Sequence, residues 1–295
     1  MNIIIVLNYN DASTTYEFIQ KIKDYNSLQK IIIVDNCSSD NSFTLLKELE
    51  SEKVKVIQTS NNKGYASGNN FGIKYAEQNY KPKNIIISNP DIEVSDRSIK
   101  KICDYLDSQA KVVAASGLIH NLDNKVASNY AWKLPTYANI LARTFAITSK
   151  ISKIINFKYK GYDPMIKKNS RILPVDVIAG CFFAIKSDVF KELNYFDERT
   201  FLYNEENILA YKIKNKGYKQ SILLDEKIVH FEGVSINKSI KNWKNKYKIL
   251  GESRTVYLKE YLKVSKAKLL IFNAFFNLGK YEKYLLLNLR RKIKH

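Results

Sequence analysis

The sequence predicts an α/β fold in which a mostly parallel sheet is flanked by helices, followed by a basic helical C-terminal extension. Three observations carry this expectation. Short apolar runs alternate with stretches of helical period through the first 116 residues, the pattern of successive βαβ units. Asn, Asp and Ser collect directly behind those runs. The last fifth of the chain then changes character: residues 236–295 hold 16 Lys or Arg against 3 acidic residues.

The elements follow in order. IIIVL (3–7) reads as a buried strand and 13–25 as the helix behind it; IIIV (31–34) is paired in the same way with 41–50. VKVIQ (54–58) precedes a helical stretch at 67–78, NIIIS (84–88) precedes one at 95–107, and KVVAAS (111–116) is the next strand. In open sheets of this kind ligands bind beyond the carboxyl ends of the strands. The residues standing there are Asn8-Tyr9-Asn10, DNCSSD (35–40), SNNKGYASGNN (60–70) and Asn89-Pro90-Asp91. Loops are polar for many reasons, but four such loops on one edge point to a shared site. From about residue 118 the alternation fades, and NYAWKLPTYANILARTF, aromatic and basic, suits a cover over that site. Regularity returns over 175–190, 196–219 and 221–233. Within it 204–214 has helical spacing, with Ile208, Leu209 and Ile213 apolar and Gly217 placed as a C-cap.

Composition narrows the function. A chain of 295 residues with 45% hydrophobic content supports one large domain plus an extra piece. Cys37, Cys103 and Cys181 are far apart and only three His occur, so neither a disulfide framework nor a structural zinc site is expected, and a reducing compartment fits. MNIIIVLNYN lacks the basic start of a signal peptide, and no apolar run approaches the ~18 residues of a membrane span. A cytoplasmic protein, peripheral at most to a membrane, is the expectation. The formal net charge of +19 suits nucleic acid, anionic lipid or a phosphorylated substrate. No RNA-binding or helix-turn-helix signature appears, so no nucleic-acid partner is expected.

Several residues could carry chemistry. Gly64, Gly68 and Gly72 recur every four residues; they could admit a phosphate to a helix N-terminus or allow close helix–sheet contact. Asp35 at a strand end could accept a hydrogen bond from a base or ribose, whereas Asp40 reads as a helix cap. Asp91, stiffened by Pro90, could hold Mg²⁺ or Mn²⁺ or merely close an Asx-turn. Glu205 and Glu206 are adjacent in a first helical turn, where negative charge is favoured; on a helix they diverge by about 100°, so one faces the site and the other is structural. Such a carboxylate can act as a general base. His230 could be a metal ligand or an ordinary packed residue.

Taken together these stretches resemble family 2 glycosyltransferases of the GT-A, Rossmann-like fold, in the rhamnosyltransferase-like branch of bacterial surface-polysaccharide synthesis. The resemblance lies in VLNYN, IIVDNCSSDNS, NNKGYASGNNFGI, IIISNPDIEV, VDVIAGCFFAIKSDVF, FDERTFLYNEENILAYKIKNKGYK and KIVHFEG. It spans residues 1–235 and leaves 236–295 as the extension. It implies that Asn8, Tyr9, Asn10, Asp35, Asn62, Gly64, Asn69 and Asn89 hold the nucleotide. It implies that Asp91 and His230 hold the metal, that Glu206 is the base, and that Glu205 and Asn70 stand behind or on the acceptor side. Two departures stand out: Asn89 leaves one strong metal ligand in its motif, and Ile208 replaces an acid often found two residues after the base. The implied reaction is an inverting transfer from a UDP- or dTDP-sugar to a polysaccharide or lipid-linked acceptor. The implied alternative is an inactive nucleotide-sugar-binding subunit. The apolar and cationic clusters of 266–295 suit an amphipathic helix on an anionic membrane, or a helix packed on the domain with a solvated basic face.

Overall fold

The computed structural model describes residues 1–145, 170–231 and 242–293. The expected boundary after residue 235 therefore lies outside the described residues. Four strands and three helices open the chain as the alternation predicts: β1 (Asn2–Asn8), α1 (Ala12–Ile22), β2 (Lys30–Asp35), α2 (Ser42–Lys47), β3 (Val54–Gln58), α3 (Tyr65–Tyr80) and β4 (Asn84–Ser88). Ile3 to Ile5, Ile31 to Ile33 and Ile85 to Ile87 are fully buried. Continuous apolar runs of this kind are what strands covered on both faces require. Asp40 performs its expected capping task one position early, accepting from the Ser42 N–H at 2.9 Å.

Then come β5 (Ile92–Val94), α4 (Asp96–Ser108), β6 (Val112–His120), β7 (Ala131–Trp132), α5 (Tyr137–Ala142), β8 (Ile172–Val175), β9 (Val177–Ile178), β10 (Phe182–Lys186), α6 (Ser187–Glu192), α7 (Glu205–Asn215) and β11 (Lys219–His230). The nine-stranded sheet runs β3-β2-β1-β4-β10-β6-β11-β5, with β8 on β11. Strands β1 to β4, β6 and β11 run one way; β5, β8 and β10 run against them. The reversal of β10 matters for function. It starts where its neighbour β4 ends, with Phe182 opposite Ser88. The residues before β10 therefore join the same sheet edge as the residues after β4, and the Asn89 N–H donates to the Cys181 carbonyl at 2.8 Å.

The glycines of α3 settle one alternative. A Cβ on Gly68 would stand 2.5 Å from Leu7 Cδ1, and one on Gly72 2.6 Å from Val34 Cγ2. Both serve close packing of the helix on β1 and β2. Only Gly64, with φ of +96°, belongs to the loop at the sheet edge.

The C-terminal extension comprises α8 (Trp243–Val256), a π-helical turn (Tyr257–Tyr261) and α9 (Lys266–Ile293). Phe272 and Phe276 of α9 pack with Tyr247, Tyr257, Ile140 of α5 and Ile208 of α7 in a second apolar cluster. The opposite face of α9 leaves Leu270, Ile271, Phe275, Leu278 and Tyr281 exposed. One face of this helix is thus packed on the domain, as one of the two sequence alternatives has it, and the other is apolar and open. Among the described residues no helix is long and apolar enough to cross a membrane.

Candidate active site

A cavity of about 390 Å³ opens at the carboxyl edge of the sheet. Eight of the expected residues line it: Asn8, Tyr9, Asn62 and Gly64 at the β1–β3 end, Asn89 behind β4, His230 at the end of β11, and Glu205 and Glu206 at the start of α7. Strand ends and one helix start bring them together, although they span 223 sequence positions from Asn8 to His230.

The first end is a closed hydrogen-bond lattice. Asn8 Nδ2 donates to Asp35 Oδ1 at 2.9 Å, and its Oδ1 accepts from Thr15. Asp35 also accepts from the Ser38 hydroxyl (2.6 Å), the Ser38 N–H (3.0 Å) and Gln58 Nε2 (2.9 Å). Asn36 donates to Asn62 Oδ1 and to the Gly64 carbonyl, while Asn62 Oδ1 also accepts from the Gly64 N–H. A Cβ on Gly64 would lie 2.1 Å from the Phe201 carbonyl oxygen, so glycine is required there by both its φ and its neighbour.

Five expected residues are not in the cavity lining: Asp91, which lies directly behind the lining residue Pro90, and four others. Asp35 is fully buried beneath it; its carboxylate orients Asn8. Asn10 is tied to Ser38 and Ser39. Asn69 is buried and donates to the Tyr65 carbonyl one turn back. Asn70 clamps Phe196 and Glu198 against α3. The helical period explains the last two: past the loop, successive α3 residues turn inward to the sheet or outward along the helix.

Asp91 and His230 meet where β5 pairs with the end of β11. Asp91 lies just behind Pro90, 3% exposed, and His230 Nε2 is 3.4 Å from its Oδ1. Pairing of β5 with the end of β11, His230 opposite Ile92, sets this proximity. Burial disfavours a charged imidazole, but the contacts with Asp91 and Cys181 outweigh it and push His230 up to about 10. Among the described residues no cluster of three or more His, Cys, Asp or Glu could hold a metal alone. Asp91, joined by His230 once the imidazole has released its proton, fits a divalent cation that keeps water and substrate phosphate for its other positions.

The second end is built around acids. Tyr203 and Asn204 both have positive φ, +74° and +68°, a conformation costing about 1–3 kcal/mol per non-glycine residue. This turn starts α7 inside the cavity wall. Glu205 is 3% exposed, and its Oε1 has no hydrogen-bond partner. Glu206 is half-buried, and its carboxylate lies against the backbone of Gly180. A Cβ at position 180 would stand 2.7 Å from Glu206 Oε1, so the backbone approaches the carboxylate only because residue 180 is glycine. Burial raises both carboxyls above the usual range, and the charge of Glu206 raises Glu205 further. The expected division, one acid facing the site and one structural, is replaced by two acids in the cavity wall.

Sequence reasoning held Asn36, Tyr65 and Trp132 only within longer stretches, without singling them out, and gave Gly180 no place in the site. Gly180 and Cys181 directly precede β10, whose antiparallel direction puts them at this edge. Tyr65 donates to the Gly180 carbonyl at 2.8 Å; burial, then Glu206 and Glu205, raise its hydroxyl well above the ordinary tyrosine range.

Residues 3–193 match the model of the family described as glycosyl transferase family 2. The chain belongs to this family. It is 22% identical over 213 residues to the low-salt glycan biosynthesis hexosyltransferase Agl10 of Haloferax volcanii, covering 72% of this chain and 61% of that protein. It is 26% identical over 239 residues to the dTDP-rhamnosyl transferase RfbF of Shigella flexneri, covering 80% of this chain and 70% of that protein. The chain thus spans less than two thirds of the Haloferax protein. The mannosyltransferase PcManGT of Pyrobaculum calidifontis, solved with GDP-Man and Mn²⁺, matches the whole of this chain and 80% of its own, at 12% identity and a TM-score of 0.58. That likeness concerns the fold, which is GT-A. The chain is also 21% identical over 220 residues to the rhamnosyltransferase WbbL of Escherichia coli, covering 73% of this chain and 78% of that protein.

Proposed function

We propose that this glycosyltransferase moves a sugar, rhamnose being the first to test, from a UDP or dTDP donor to a hydroxyl of a surface polysaccharide or lipid-linked oligosaccharide, with inversion at the anomeric carbon. The observation that carries the reading is the Glu206 carboxylate set against the Gly180 backbone in the wall of a cavity that also contains an asparagine lattice. The nucleotide lies at the lattice end, against Tyr9 and the Gly64 loop, with Asp35 holding Asn8 from below. Glu206, its carboxyl destabilised as an anion by burial, takes the proton of the acceptor hydroxyl. The close approach of the Gly180 backbone confines that carboxylate. Asp91 and His230 would hold Mg²⁺ or Mn²⁺, which when bound offsets charge on the leaving diphosphate.

The acceptor side includes a membrane. The exposed apolar face of α9, with Lys266, Lys268, Lys280 and Lys283 along the same helix, suits an anionic lipid surface at the cytoplasmic side. Vesicles containing phosphatidylglycerol should retain the chain, and the triple substitution L270S/L278S/L285S should release it; equal retention of both would sink this part.

The central test is a thermal-shift panel of nucleotide sugars with and without Mn²⁺, since binding raises apparent stability, followed by transfer assays on the donors that bind. Binding without hydrolysis or transfer would identify a nucleotide-sugar-binding subunit instead.

A further inference from the structure

One aromatic ring of the cavity has no role so far. Trp132 stands on β7, opposite Val177 of β9, and β9 ends two residues before Gly180. Its indole N–H donates to Asn207 Oδ1 at 2.8 Å; Asn207 follows Glu206 on α7 and spends its Nδ2 on Asn204 Oδ1. The ring is therefore fixed by the two elements that fix Glu206, the strand leading to Gly180 and the first turn of α7. Ring and carboxylate cannot drift relative to each other unless one of these elements moves.

Its exposure is equally informative. A tryptophan serving the core alone would be closed off, but Trp132 is only partly buried and lines the cavity. With its one polar atom committed to Asn207, what it offers the cavity is apolar ring surface. The nucleotide end lies across the sheet, over β1 to β3, and is polar. A pyranose has both characters: a C–H face that packs on an aromatic ring and hydroxyls around its edge.

We propose that Trp132 is the platform of an acceptor-sugar subsite, on which a pyranose ring stacks with a hydroxyl turned toward Glu206. The proposal rests on the glycosyl-transfer reading and adds that the acceptor presents a sugar, not a lipid hydroxyl or an amino-acid side chain, at the reacting position.

The chain has two tryptophans, so in the full-length W243F variant only Trp132 emits. Methyl pyranosides of glucose, galactose, rhamnose and N-acetylglucosamine are titrated with and without UDP or dTDP and Mn²⁺. At least one should shift the emission saturably, while the open-chain polyol sorbitol should not. By calorimetry W132F should keep affinity for that sugar within about threefold, and W132A should lose about tenfold or more. Both variants should bind nucleotide like the unsubstituted chain. No saturable shift with any sugar, unchanged sugar affinity in W132A, or loss of nucleotide binding in a folded W132A overturns the platform. Failure of the unsubstituted chain to bind any nucleotide overturns the glycosyl-transfer reading, and that separate measurement tells the two failures apart.

Discussion

The two ends of the cavity are built on opposite principles. At the lattice end nearly every polar atom is matched: Asp35 accepts four hydrogen bonds, and Asn8 and Asn36 are held on both sides of their amides. At the acid end Glu205 Oε1 is buried without a hydrogen bond, and two carboxyls are raised by burial. A satisfied network resists movement and contributes to stability. Buried acids short of partners cost stability and leave a proton-accepting group ready for substrate. The same fold thus carries a stabilising end and a reactive one.

The sharpest way to break this contrast is Glu206→Gln. It should reduce transfer by about 10²-fold or more and leave donor affinity near its original value, read by kinetics and calorimetry. Near-normal turnover would remove Glu206 as the base. Asp91→Asn should abolish the Mn²⁺-dependent part of donor binding while the fold persists by circular dichroism; an unchanged Mn²⁺ titration would place the cation elsewhere. At the lattice end Asp35→Asn turns an amide donor toward groups that themselves donate, and should cost about 1–3 kcal/mol in urea unfolding. A loss below about 0.5 kcal/mol would mean that the lattice relaxes freely.

The smallest effect is the most diagnostic. The Glu205 carboxyl is raised by burial and by Glu206, so the folded state holds its proton more tightly than the unfolded chain does. Its stabilising contribution is complete below the ordinary carboxylate range and is lost as pH rises through the folded value. Glu205→Gln should therefore match the original chain in Tm near pH 4 and exceed it by about 2 °C or more near pH 8. A Tm difference independent of pH, or of opposite sign, would show that Glu205 is not an acid held short of partners.

The lattice half was legible in the sequence and the acid half only partly so, for a physical reason. In parallel strands the apolar run announces itself and the residue behind it stands at the ligand edge, so Asn8, Asn62, Gly64 and Asn89 could be found from position alone. Reading whole polar loops as ligand-facing overreached at Asn69 and Asn70, which the helical period carries away from the cavity. On the other side β10 runs backward, and Gly180 precedes its strand. Trp132 arrives on a two-residue strand whose partner is 45 positions later, Val177, a pairing no local pattern announces. His230 and Asp91, far apart in sequence, meet through the antiparallel pairing of β5 with β11.

Ile208 stands two residues after Glu206 and belongs to the cluster formed by Phe272, Phe276, Tyr257 and Ile140. The closing helix is accordingly not a detachable handle. Anyone wishing to graft this catalytic unit onto a different anchor, or to trim it for crystallisation, inherits an engineering constraint. Cutting before Trp243 strips the rear support from the helix that carries the acids, and a replacement tail must bring its own aromatic pair shaped to Ile140 and Ile208. Within the family, tails would then be exchangeable only together with the helix faces they cover.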